Sequence, residues 1–152
     1  MGIPSESMPV TSRGRKIVAL LAEDNRTDVL MVQEAIEQHG LPIELHVVDD
    51  GEKACDFLEQ TDRKPTAVRP DLLLLDLNLP KRTGKDVLAC LRQSKVCQHI
   101  PVLIITSSDS SKERDELKAL GVARNFRKPA SYDEFMKLGS LLQGILDEYN
   151  LQ

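Results

Sequence analysis

The chain has 152 residues, enough for one domain with a buried core, and its longest apolar runs, at residues 72–75 and 102–105, fall far short of the ~20 residues needed to cross a bilayer. A net charge of −4 with scattered basic residues argues against a surface for nucleic-acid backbones. The three cysteines, Cys55, Cys90 and Cys97, are odd in number and lack C-x-x-C spacing, and His39, His46 and His99 are equally scattered; reduced thiols and packed or solvated histidines are expected.

Residues 1–15 mix Pro, Ser, Gly and charge with no continuous apolar stretch, which predicts a flexible lead-in and not a signal peptide, and places the protein in the cytoplasm. A domain is expected over residues 16–150. Its first strand is Ile17–Ala22, running into Glu23-Asp24. Val29, Val32 and Ile36 then fall on one helical face, closed by Gly40 and Pro42. A second strand follows at Ile43–Val48, and residues 61–70, polar with two prolines, read as a surface loop. Leu72–Leu75 has no polar alternation, as expected of a parallel strand buried on both faces, and it ends on Asp76. Val87, Leu88 and Leu91 mark another helix, and a fourth strand at residues 102–105 ends on Thr106. Ser110 with Glu113, and Ser131 with Glu134, are helix-start signals flanking a weak fifth strand at residues 123–127. The last helix carries Phe135, Leu138, Leu141, Leu142, Ile145, Leu146 and Tyr149 on a stripe of roughly 140°.

Strands alternating with helices in this way predict an α/β fold, a doubly wound (βα)5 parallel sheet of flavodoxin-like order 2-1-3-4-5 in a single domain. Ligands of such sheets sit at the carboxyl ends of the strands, where Glu23, Asp24, Asp76, Thr106 and Lys128 would converge. Three carboxylates brought together repel, and a cation resolves the conflict. Hard oxygen ligands suit Mg²⁺, with Mn²⁺ able to substitute. Lys128 and Thr106 could meet the oxygens of a phosphoryl group, and Asp76, ending the central strand, is the preferred acceptor.

This pattern resembles the receiver domains of bacterial two-component response regulators from about Lys16 to Leu146. The resemblance rests on Glu23-Asp24-Asn25, on the run from Pro70 to Asp76, on Asn78, Pro80 and Gly84, on Thr106 thirty residues after Asp76, and on Lys128-Pro129 twenty-two further on. It implies an acidic pair at Glu23 and Asp24, a phospho-acceptor at Asp76, and a further metal ligand in the Asn78 backbone carbonyl. It also implies a switch hydroxyl on Thr106, a phosphoryl-pairing lysine at Lys128 and a cis peptide before Pro129. The segments Leu77-Asn78-Leu79-Pro80 and Thr106-Ser107-Ser108 are similar to those of small regulators paired with phytochrome-type kinases. The implied partners are a sensor histidine kinase and a downstream protein or phosphotransfer partner. Neither nucleic acid nor membrane is implied, and the protein would be a phosphorylatable switch, not an enzyme.

Four features bear on the expectation. Asn125 stands where receivers often carry an aromatic ring, with Phe126 beside it, so phosphorylation is expected to alter self-association only modestly. The width of the last helix's stripe predicts a homodimer through strand 5 and that helix. A phosphatase with an aspartyl-phosphate nucleophile would carry a second aspartate two residues after it, where this chain has Asn78. A degenerate receiver would lack the acceptor, the acidic pair or the lysine, and all three are present.

Overall fold

In the computed structural model, which describes residues 16–107, 110–122 and 124–151, Leu72–Leu75 (β3) is fully buried at the centre of a five-stranded parallel sheet. Its neighbours are Ile17–Ala22 (β1) and Val102–Thr106 (β4); Ile43–Val48 (β2) and Arg124–Arg127 (β5) form the edges, giving the expected order β2-β1-β3-β4-β5. The lead-in of residues 1–15, Ser108 and the start of the fifth strand at Ala123 lie outside the described residues. Successive strand side chains point to opposite faces, so the four leucines of β3 serve two cores. Leu72 and Leu74 join Arg26–Gln38 (α1), Tyr132–Met136 (α5) and Leu138–Glu148 (α6), while Leu73 and Leu75 meet Gly51–Arg63 (α2), Gly84–Gln93 (α3) and Ser111–Ala119 (α4).

The helix boundaries follow side-chain chemistry. Asn25, Asp50, Thr83, Ser110 and Ser131 each accept a hydrogen bond from a first-turn backbone N–H, and Thr83 with Asp86 completes a reciprocal capping box. After α1 the chain turns at Gly40, whose φ of +60° is a conformation that costs a residue without a Cβ little.

The structure corrects several expectations. Helix α2 continues to Arg63, past the expected loop start, because Thr61 is buried with its hydroxyl donating to the Leu58 carbonyl at 2.6 Å. The last helix is broken at Lys137, where tighter bonds three residues apart run from Lys137 N to Glu134 O and from Ser140 N to Lys137 O. Of its stripe, Phe135, Leu138, Leu142, Ile145 and Leu146 are buried against the chain's own sheet and α1, which accounts for the stripe's width without a second chain. Cys55 and Cys90 are not reduced thiols: they form a disulfide between α2 and α3, whose packing sets their Cα atoms 5.6 Å apart. Cys97 is the free, buried cysteine.

Candidate functional site

The β1–β3 register aligns Ala22 with Leu75, and one more rung, from Asp76 N to Ala22 O at 3.1 Å, carries the ladder to the strand ends. Glu23, Asp24 and Asp76 therefore emerge together. Carboxylate oxygens from the three lie within 4.8 Å of one another, with Glu23 and Asp76 buried and Asp24 exposed. Asn78 follows in the next loop, its backbone N–H donating to Asp76 Oδ1 at 3.2 Å, so its backbone runs beside that carboxylate. Thr106, 2% exposed, ends the adjacent strand β4, and its carbonyl accepts from the Lys128 N–H at 2.8 Å.

Lys128 closes the group. Its Nζ lies 2.7 Å from Glu23 Oε1, 2.8 Å from Asp28 Oδ2 and 3.2 Å from Asp76 Oδ2. Burial pulls this ammonium toward the neutral form, but hydrogen bonds to Asp28 and Glu23 and the charge of Asp76 outweigh it, so Lys128 holds its proton above the ordinary lysine range. Glu23 goes the other way: burial pushes its carboxyl up to about 7, with Asp76 adding repulsion, against the hydrogen bonds from Lys128 and the Asn25 N–H. One lysine does not balance the buried acids. An all-oxygen donor set with this surplus of negative charge fits a hard divalent cation.

Every predicted site residue lies at or beside this strand edge, with one change. No cis peptide occurs among the described residues, so the bond before Pro129 is trans, the lower-energy isomer, and Lys128 reaches Asp76 from it. Asp28 was missed. It sits three residues after the cap Asn25, a position where an acid normally signals only a helix start, yet its carboxylate turns to Lys128. The usable signal was the fourth carboxylate in the span from Glu23 to Asp28 counted with Asp76. Asn125 is exposed on the α4 side, while the neighbouring Phe126 ring packs edge-on against Phe135 at 5.6 Å.

A cleft of ≈ 570 Å³ opens beside the acids, lined by residues including Glu23, Asp24, Leu30 and Val47. No helix among the described residues is long and apolar enough to cross a membrane.

Comparison with known proteins gives the same picture. The family model for the response regulator receiver domain matches residues 19–138. Response regulator Rcp1 of Synechocystis sp. (strain ATCC 27184 / PCC 6803 / Kazusa) is 40% identical over 96 residues, which make up 63% of this chain and 65% of that protein, just under two thirds of its length. Among solved structures, the phosphorylated cyanobacterial phytochrome response regulator RcpA superposes with a TM-score of 0.75 at 32% identity, covering 84% of this chain and 91% of that one. The Mn²⁺-bound form of Rcp1 gives 0.74 at 34% identity, covering 88% and 94%. The strand order, the acidic cluster with its lysine and the match over residues 19–138 lead to one conclusion: the chain belongs to the response regulator receiver domain family of two-component signalling.

Proposed function

We propose that Asp76 accepts a phosphoryl group from a sensor histidine kinase, with Mg²⁺ or Mn²⁺ held by Glu23, Asp24, Asp76 and the Asn78 backbone carbonyl. The observation that carries this reading is the convergence of three carboxylates within 4.8 Å, two of them, Glu23 and Asp76, ion-paired at 2.7 and 3.2 Å to a lysine that follows β5. An Asp76 oxygen attacks phosphorus as the bond to the donor nitrogen breaks. Lys128 shifts a donor from its carboxylates to a phosphoryl oxygen, and the Thr106 hydroxyl offers another donor, so little reorganisation is needed as charge moves. The cation, when bound, supplies the remaining neutralisation of the phosphoryl oxygens. Nothing is turned over: the chain is the substrate of the transfer, and its output passes through protein contacts or onward phosphoryl transfer.

The likeness to RcpA, named as a phytochrome response regulator, supports a photoreceptor-type kinase as the donor. A homodimer through β5 and the last helix has less to build on, since of that helix's stripe Tyr149 alone is exposed. Mass spectrometry after incubation with acetyl phosphate and Mg²⁺ tests the core of the reading. One phosphoryl group is expected per chain, lost when Mg²⁺ is chelated and in Asp76→Asn. A full mass gain in that variant would overturn the assignment.

A further inference from the structure

The disulfide lies next to the loop that follows Asp76. Residues 77–83 cross from β3 to α3 and rest on the start of α2: Gly51 N donates to Pro80 O at 3.1 Å, and Lys81 Nζ is 3.7 Å from Asp50. The fit is tight enough that a Cβ on Gly51 would collide with the Arg82 carbonyl. Within the loop, Lys81 is held at φ +69°, a left-handed conformation that a lysine keeps only when its surroundings impose it. One turn further along α2 is Cys55, joined to Cys90 of α3. The Arg82 guanidinium, reaching out of the loop, lies 3.2 Å from both sulfurs.

The two sulfurs differ in access. Cys55 is 2% exposed, whereas Cys90 is half-buried and lines a cleft of ≈ 510 Å³ with the charged residues Lys81, Arg82 and Asp86, of which the acid already accepts from the Thr83 N–H. We propose that Cys55–Cys90 is a redox-exchangeable pair, opened by an anionic low-molecular-weight thiol at Cys90, whose state sets how firmly the loop after Asp76 is held.

The exchange balances with two equivalents of thiol. A thiolate from the cleft attacks Cys90 Sγ, the Cys55–Cys90 bond breaks, and Cys55 leaves as a thiolate beside the Arg82 guanidinium before taking up a proton. A second thiolate attacks the mixed disulfide, releasing Cys90, which is protonated in turn. Two electrons and two protons pass to the protein, and the reductant leaves as its disulfide. Lys81 and Arg82 favour an anionic attacker, and Arg82 stabilises the leaving sulfur. Once open, α2 and α3 lose their covalent tie and the loop between them loses a fixed wall. What that freedom means for signalling rests on the reading of Asp76 as acceptor; the pair's chemistry does not.

The test uses the full chain. After mild oxidation, alkylation under denaturing conditions should label one thiol per chain, Cys97, and after glutathione treatment three; three labelled thiols after oxidation would overturn the site. Reduction by glutathione should slow about tenfold in Arg82→Ala, at a fixed thiolate concentration, while reduction by uncharged 2-mercaptoethanol slows less. Equal slowing for both thiols would remove the cationic cleft from the proposal. Hydrogen exchange should quicken on reduction at residues 77–83 and the first turn of α2, with β1 and β3 unchanged, and the Cys55→Ser/Cys90→Ser variant should show the same pattern without reductant. Unchanged loop protection, or a uniform rise across the sheet, would overturn the coupling. None of these readouts involves phosphorylation, so they stand or fall separately from the role of Asp76.

Discussion

Strands β3 and β5 each deliver one residue to the same site, yet they are built in opposite ways. All four residues of β3 are buried, with a strand on either side. β5 is an edge strand whose Arg124, Asn125 and Arg127 are exposed, with Phe126 alone turned into the core. The difference separates two jobs. Asp76 is fixed by packing on both faces of the sheet, while Lys128 extends from a lightly packed edge and is held chiefly by the charges it meets.

If packing fixes Asp76, truncation should cost far more in the centre than at the edge. Leu74→Ala is expected to lose about 3–4 kcal/mol of stability and Phe126→Ala about 1–2 kcal/mol, since the first opens a fully enclosed cavity and the second a partly open one. Denaturant titration of both checks this; equal losses would break the contrast.

If charge holds the edge residue, the site should report on pH. The Glu23 carboxyl, raised from 4.5 to about 7 chiefly by burial, favours folding while protonated. In the metal-free protein that contribution is complete below about pH 4.5 and is lost as pH rises through about 7, because the unfolded chain then binds fewer protons. Glu23→Gln should remove this slope and leave the metal-free protein more stable at pH 8 by on the order of 2–3 kcal/mol. Thermal melts from pH 4.5 to 8 decide it. A parent whose stability rises steadily over that range, by the same amount as the variant, would contradict the buried acid's role.

The smallest stability effect should come from Asp24. It is exposed, and Asp24→Asn should shift stability by no more than about 0.5 kcal/mol while weakening Mg²⁺ binding about tenfold through loss of a charged ligand. Calorimetric titration beside a melt separates the two, and unaltered Mg²⁺ affinity would take Asp24 out of the metal site.

Much of this was legible in the sequence because it is local or periodic. Four consecutive leucines announce a strand covered on both faces, and Ser110 and Ser131 announce helix starts, since the cap bonds lie within three residues. The site was legible because strand ends in a parallel sheet share one edge, so Glu23, Asp24, Asp76, Thr106 and Lys128 could be brought together from topology alone. What was hidden depends on helix placement. Cys55 and Cys90 are 35 residues apart and become neighbours only once α2 and α3 pack side by side. The turn of Asp28 toward Lys128, and the burial of the last helix's stripe by α1, depend in the same way on distances that no local pattern encodes.

The three contacts of Lys128 also bear on selectivity. An ammonium has three protons to donate, and here each already has a carboxylate, Glu23, Asp28 or Asp76, within 3.2 Å. Free phosphate or sulfate drifting into the site finds no spare donor on this lysine and meets a fence of negative charge. An oxygen attached covalently to Asp76, as proposed, would compete on other terms, because it would not have to be recruited from solution. Lys128 thereby starts from full occupancy in the metal-free protein, and any incoming oxyanion must displace one of these carboxylates to reach it.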